Sequence, residues 1–192
     1  MPRYIRTFDN VIPKKLCEEM IDAFEKHQEV QPDPQPEYST RRFLFLSDKM
    51  DWNASCIKLS DIANHLIEQY FDRPEYMCET RPAQWIDDGF VMACYDKGAT
   101  CALHSDGQCA EEPYNGHRIA TVILFLNDVP EGGETVFPMQ DVSIKPVQGR
   151  AVVFPPGYLH PHEVLAPNSK RYICQTWITD VDLVVNERVE WS

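Results

Sequence analysis

Long uninterrupted hydrophobic runs are missing from this 192-residue chain, and no window approaches the roughly 20 apolar residues of a membrane-crossing helix. The opening, Met1 to Asn10, carries Arg3 and Arg6 without the apolar stretch of a secretion signal, so a cytoplasmic protein with no membrane partner is expected. Basic residues are also scarce: 18 Lys and Arg stand against 30 Asp and Glu, a formal net charge of -12, and no Lys/Arg run occurs. Such a surface repels a phosphate backbone, which argues against nucleic acid as a partner. The cysteines, Cys17, Cys56, Cys78, Cys94, Cys101, Cys109 and Cys174, include no Cys-x-x-Cys pair and are odd in number. That pattern fits neither a disulfide framework nor a structural zinc knot, and reduced core thiols are expected. Internal repeats are absent. With 43% hydrophobic residues and only 8 glycines, the length suits one domain spanning 1–192.

The first third reads as helical. Pro13 can occupy a first helical turn, and Leu16, Met20, Phe24 and His27 follow at helical spacing, ending near His27. Gln31 to Pro36 contains three prolines and is read as an extended loop, either a connector or a lid. After an apolar run at Phe43 to Leu46, a second amphipathic helix is marked by Leu59, Ile62, Ala63, Leu66, Ile67 and Tyr70, with Asn53 or Ser55 as its cap. From about Ala83 onward, short β-rich runs are punctuated by Gly89, Gly98, Gly107, Asn115-Gly116, Gly132-Gly133, Gly149 and Pro155-Pro156-Gly157. Many short strands after two helices predict a β-barrel or sandwich with helices outside it.

Within the strand-rich part, His104-Ser-Asp106 follows the strand-like Cys101-Ala-Leu-His104, where alternation sends residues two apart to one face. His-x-Asp alone is a weak signal, and a third ligand is needed. Gly157-Tyr-Leu-His160-Pro-His162-Glu-Val164 offers two histidines of the same parity, and the residues alone leave both open. Two imidazoles and one carboxylate on one face of an octahedral ion leave three open positions, which suits non-haem Fe(II) oxygen chemistry better than a closed zinc site. Downstream, Lys170-Arg171-Tyr-Ile-Cys-Gln-Thr-Trp177 alternates as a strand, with Arg171, Ile173, Gln175 and Trp177 on one face and Tyr172, Cys174 and Thr176 on the other. If the Arg171 face is inward, a buried guanidinium demands a carboxylate, and its planar fork suits one held bidentately. The alternation does not choose between the faces.

These residues resemble a family pattern. His104-x-Asp106, a long gap, His162 and then Arg171 is similar to the 2-oxoglutarate/Fe(II) oxygenases, nearest to the prolyl 4-hydroxylases and the oxygen-sensing prolyl hydroxylases. The run His117-Arg-Ile-Ala-Thr-Val-Ile-Leu-Phe-Leu-Asn-Asp-Val-Pro-Glu-Gly-Gly-Glu-Thr-Val-Phe-Pro138 resembles the middle of the prolyl 4-hydroxylase catalytic domain. Val91-Met-Ala-Cys-Tyr95 and His162-Glu-Val, with Arg171-Tyr and Trp177, resemble the oxygen-sensing branch; the likeness is strong from about Phe90 to Ile178. The resemblance implies a double-stranded β-helix, jelly-roll and cupin-like, with a core at about 89–180 and helical support from 1–82. It selects His104, Asp106 and His162 as iron ligands, leaving His160 near the substrate entrance. Tyr95, Thr135 and Arg171 would contact 2-oxoglutarate, and Ile123, Phe125 and Trp177 would line its pocket. Two departures stand out: Phe125 occupies a position where the oxygen-sensing branch usually has tyrosine, and collagen-type enzymes usually carry Lys where Arg171 stands.

The implied reaction is hydroxylation with Fe(II), 2-oxoglutarate and O2, giving succinate and CO2, with ascorbate as a supporting reductant. A prolyl residue in a peptide or protein is the favoured substrate, lying between the loops at Gln31 to Thr40 and Gly107 to His117, the second of which holds Glu111 and Glu112. Related enzymes act on free amino acids and small metabolites. A non-catalytic β-helix binding module and a zinc hydrolase are the alternatives of other classes. Oligomeric state is not encoded in any motif.

Overall fold

Alternation of apolar residues along the strands sorts the hydrophobic side chains into two cores on opposite faces of one large sheet. The computed structural model describes residues 4–72, 84–107 and 117–180. The larger sheet is built from β1 (Arg6–Phe8), β2 (Gln31–Pro32), β3 (Arg42–Phe45), β4 (Trp85–Asp87), β5 (Val91–Tyr95), β7 (His117–Phe125), β10 (Ala151–Phe154) and β12 (Arg171–Asp180). Its order is β1-β10-β7-β12-β5-β3-β2, with β4 pairing onto β12. The smaller sheet runs β6-β11-β8-β9, from β6 (Cys101–His104), β11 (His162–Val164), β8 (Thr135–Phe137) and β9 (Val142–Ile144). All strand pairs are antiparallel. The two sheets face each other as a double-stranded β-helix, as the resemblance implies.

On the outer face of the larger sheet, α1 (Lys14–Lys26) and α2 (Asn53–Phe71) lay down Leu16, Met20 and Phe24 and then Leu59, Ala63, Leu66 and Tyr70. These join Met92, Cys94, Val122, Leu124, Val153, Tyr172 and Cys174 in one buried cluster. The intervening residues of the same strands, Ala93, Tyr95, Ile123, Phe125, Val152, Phe154 and Ile173, point the other way. They meet Phe137, Ile144 and Val164 of the smaller sheet in a second cluster. Each Val, Leu, Ile, Met or Phe side chain buried this way contributes about 1.5–3 kcal/mol.

Four local expectations are corrected. The N-terminal third is not purely helical support: β1, β2 and β3 enter the larger sheet, β3 pairing with β5 from Arg42↔Cys94 to Phe45↔Val91. Gln31–Pro32 is a two-residue edge strand on β3, a position where proline's missing donor costs no ladder bond. Helix α2 is not capped by Asn53 or Ser55; it grows directly from a 3-10 turn at Met50–Trp52, so those side chains have no exposed first turn to close. Pro13 sits just before α1 with φ -57°, outside the first turn.

Candidate active site

Antiparallel pairing of β6 with β11 sets His162 directly opposite His104. Between His162↔His104 and Val164↔Cys101, two steps on β11 match three on β6, a bulge of the kind that bends a strand and re-aims a side chain. Asp106 lies beyond the end of β6, so it reaches its neighbours from a bend and not by the strand alternation expected from sequence. The donor atoms of His104, Asp106 and His162 all lie within 4.8 Å of one another. His104 Nε2 is 3.6 Å from Asp106 Oδ1, and His162 Nε2 is 3.7 Å from Asp106 Oδ2.

Both imidazoles are oriented by the chain two residues upstream. His104 Nδ1 donates to the Ala102 carbonyl at 2.8 Å, and His162 Nδ1 to the His160 carbonyl at 3.3 Å. A carbonyl only accepts, so Nδ1 carries a proton in each ring and Nε2 is the nitrogen that faces the shared point and would ligate a metal once unprotonated. Phe154 and Phe137 fix the His162 ring, with centroids at 4.8 and 5.4 Å. Burial is the main influence on His162 and lowers its pKa to about 4. For His104, burial is outweighed by Cys101, Asp106 and the Ala102 carbonyl, which lift it to about 9.

Two residues not singled out from sequence complete the support of Asp106. Thr121 Oγ1 donates to Asp106 Oδ2 at 2.8 Å, and an Arg118 terminal N–H donates to the Asp106 carbonyl at 3.0 Å. Arg118 is itself fixed by Asp88 at 3.2 Å and by the Trp177 ring, 3.9 Å from its centroid. Thr121 shares the parity of Ile123 and Phe125, a signal already present in the sequence. Arg118 does not; the register shift between Ile178 and Thr179 on β12 brings it in, and no motif announces that.

Arg171 is completely buried. It pairs with Tyr95 across β12 and β5, and its guanidinium carbon lies 4.8 Å from the Tyr95 ring centroid and 5.3 Å from that of Phe125. One terminal N–H donates to Thr135 Oγ1 at 2.9 Å. The other terminal nitrogen and Nε are buried without a hydrogen-bond partner. Burial lowers the Arg171 pKa, Tyr95 opposing it, yet the group starts so high that it stays charged at neutral pH. A buried cation with two unmet donors is costly by several kcal/mol, which marks the space before it as one shaped for an anion. Arg171 packs on Tyr95 and Phe125, and His162 on Phe137 and Phe154, four rings of one inner cluster, so the anion space and the His-Asp-His cluster lie on the same face of the larger sheet.

Of the positions named from sequence, the structure gathers His104, Asp106 and His162, and beside them Arg171, Tyr95, Thr135 and Phe125. Ile123 joins the same inner cluster, and Trp177 stands opposite Thr121 with a buried, unpartnered Nε1. The His160 ring stands edge-on to Tyr4 at 6.4 Å between centroids, and its carbonyl accepts from His162 Nδ1. The loop interior with Glu111 and Glu112 lies outside the described residues. The donor set fits ferrous iron: two imidazole nitrogens and one carboxylate, the His104 nitrogen giving up its proton on ligation, with no fourth protein ligand among the described residues to close a tetrahedral zinc site.

Comparison with known proteins adds sequence and fold evidence. A "Probable prolyl 4-hydroxylase 7" of Arabidopsis thaliana is 38% identical over 100 residues, covering 42% of this chain and 31% of that protein. The chain thus matches only about a third of that curated relative's length. A viral collagen prolyl hydroxylase from Paramecium Bursaria Chlorella virus-1, solved as its 2OG complex, superposes with TM-score 0.68 at 21% identity, covering 93% of this chain and 96% of that one. A prolyl hydroxylase of Trichoplax adhaerens, solved with a hypoxia inducible factor oxygen degradation domain peptide fragment, gives 0.73 at 18% identity, covering 94% and 86%. At those identities the structures speak for the fold alone. Residues 90–179 match the family described as the 2OG-Fe(II) oxygenase superfamily, a span that contains the His-Asp-His cluster and Arg171. Over that span the chain is similar to the 2OG-Fe(II) oxygenase superfamily and, within it, to prolyl 4-hydroxylases.

Proposed function

We propose that this protein is an Fe(II)- and 2-oxoglutarate-dependent dioxygenase that hydroxylates prolyl residues in a peptide or protein. The observation that carries the reading is Arg171, fully buried with two donors unmet, in the same chamber as three convergent metal-ligand side chains. In this reading His104, Asp106 and His162 hold the iron. Arg171 grips the distal carboxylate of 2-oxoglutarate, with Thr135 and Tyr95 beside it, and Ile123, Phe125 and Trp177 form the walls. When bound, iron with 2-oxoglutarate and O2 supplies an oxidation that places one oxygen atom on a substrate carbon and releases succinate and CO2.

The chain's own contribution is positioning. Nδ1 protons parked on Ala102 and His160 keep both imidazoles in the ligating tautomer. Thr121 and Arg118 hold the carboxylate of Asp106 and its backbone, so the acid ligand arrives already oriented. Aromatic rings at Tyr95, Phe125, Phe137 and Phe154 keep the chamber dry, which strengthens the pull of Arg171 on an anion. The choice of a peptidyl proline is supported by the similarity to prolyl 4-hydroxylases and by the fold neighbour solved with a peptide.

The test is a panel of proline-containing peptides incubated with protein, Fe(II), 2-oxoglutarate, ascorbate and air. Succinate release together with a one-oxygen mass gain on a proline supports the proposal. Succinate release with oxygen appearing on no proline peptide, but on a free amino acid, moves the substrate class; no binding of 2-oxoglutarate at all removes the enzyme reading.

A further inference from the structure

Tyr95 stands beside two guanidiniums, not one. Besides Arg171, it faces Arg41, which immediately precedes β3: carrying the Arg42↔Cys94 register one step on sets Arg41 opposite Tyr95, with the inward parity of Phe43, and its charge acts on the Tyr95 hydroxyl. Arg41 is mostly enclosed, with 23% of its side chain exposed, and its partner Asp33 is more enclosed, at 12%. Arg41 Nε donates to Asp33 Oδ2 at 3.0 Å, while the Asp33 N–H donates back to the Arg41 carbonyl at 2.9 Å. The other Asp33 oxygen caps the turn by accepting the Gln35 N–H at 3.1 Å. Segment 33–41 is thereby closed on itself with a cation aimed inward.

The same segment is laid along the free edge of the smaller sheet. Ala102 N–H donates to the Tyr38 carbonyl at 2.7 Å, Thr40 N–H to the Thr100 carbonyl at 3.1 Å, and Thr100 N–H to Thr40 Oγ1 at 3.0 Å. Ser39, almost fully buried, bridges to Cys101. Two like charges meeting in a dry pocket repel, and Arg41 does act on Arg171 in that sense. Asp33 balances Arg41, so Arg171 remains the cation with donors to spare. A purely structural ion pair would be equally well placed on the surface; this one is directed at the tyrosine that flanks Arg171.

The geometry points to Arg41, held by Asp33, as a positioning residue for the cosubstrate: it fixes the Tyr95 hydroxyl and so links the order of segment 33–41 to occupancy of the Arg171 pocket. The inference rests on the proposed 2-oxoglutarate site. Because linkage is reciprocal, cosubstrate binding must tighten the 33–41 segment by the same factor that the segment contributes to cosubstrate affinity.

The experiment uses the full chain loaded with Mn(II), without oxygen, comparing wild type with Arg41→Met, Arg41→Lys and Asp33→Asn. Calorimetry reads 2-oxoglutarate affinity, electron paramagnetic resonance reads Mn(II) affinity, and amide exchange reads the segment. Loss of one charge-assisted bond predicts about tenfold weaker 2-oxoglutarate binding in Arg41→Met, with partial recovery in Arg41→Lys. Mn(II) affinity stays at the wild-type value, and 2-oxoglutarate slows exchange at the Thr40 and Ala102 amides in wild type but not in Arg41→Met. Equal 2-oxoglutarate affinity in wild type and all three variants overturns the inference and leaves the site reading intact. Wild type that binds Mn(II) but not 2-oxoglutarate overturns both.

Discussion

Arg171→Met should make the ligand-free protein more stable while nearly abolishing its response to 2-oxoglutarate. In the free protein the guanidinium makes one side-chain hydrogen bond, to Thr135, and leaves two donors unmet. Losing the Thr135 bond costs about 1 kcal/mol, whereas relieving two buried unsatisfied donors returns roughly 1–3 kcal/mol each. Methionine is flexible enough to fill the slot between Tyr95 and Phe125. The net gain expected is about 1–5 kcal/mol. Cosubstrate binding moves oppositely: stripping one partner from a buried ion pair costs about 3–5 kcal/mol, or roughly a hundredfold to several thousandfold in Kd. Urea denaturation with and without 2-oxoglutarate reads both effects. At a concentration one hundred times the wild-type Kd, the ligand should stabilise wild type by about 2.7 kcal/mol and the variant by well under 1. A variant less stable than wild type when free, yet still stabilised by ligand, would refute the reasoning, because Arg171 would then be a satisfied structural cation.

Further outcomes can be checked separately. His104→Ala and Asp106→Ala should each lose metal binding and with it succinate production, read by metal analysis and a coupled succinate assay. Thr121→Val removes the bond to Asp106 Oδ2 and should weaken metal affinity by about 10- to 100-fold with little change in melting temperature. Gly133→Ala places a methyl 3.2 Å from Arg171 Cδ at a φ of +74°, so it should both lower the melting temperature and weaken 2-oxoglutarate binding, measured by calorimetry. Glu25 accepts from Tyr172, Arg42 and Lys170; although burial opposes it, these bonds hold its pKa down at about 2. Since the unfolded chain takes up that proton at higher pH, its contribution to anchoring α1 is complete above the ordinary carboxylate range and is lost as pH falls from there through about 2. Melting curves of Glu25→Gln against pH should show a flatter acid limb than wild type.

The convergence of His104, Asp106 and His162 was readable because each sits in a short motif that needs no long-range information: His104-x-Asp106 at a strand end and His162 nine residues before Arg171. The inward direction of Arg171 was one of two parities, and the sequence could not choose because both faces of β12 are apolar enough to bury. Packing decided it, with the helices covering Tyr172 and Cys174. Strands β1, β2 and β3 were hidden because they have two to four residues each, too few to show a period, and one of them contains a proline. Arg118 and Arg41 were invisible for another reason: each reaches the chamber through tertiary features, a register shift and an edge-laid segment, that leave no local pattern.

Strand β12 divides two solvents' worth of interior, with helices on one side and chemistry on the other. A random library across 171–178 would therefore separate by parity: lesions at Tyr172, Cys174, Thr176 and Ile178 would surface as poor yield, and those at Arg171, Ile173, Gln175 and Trp177 as well-made but silent protein. Expression and turnover, scored side by side in such a screen, would trace the wall between the two compartments residue by residue.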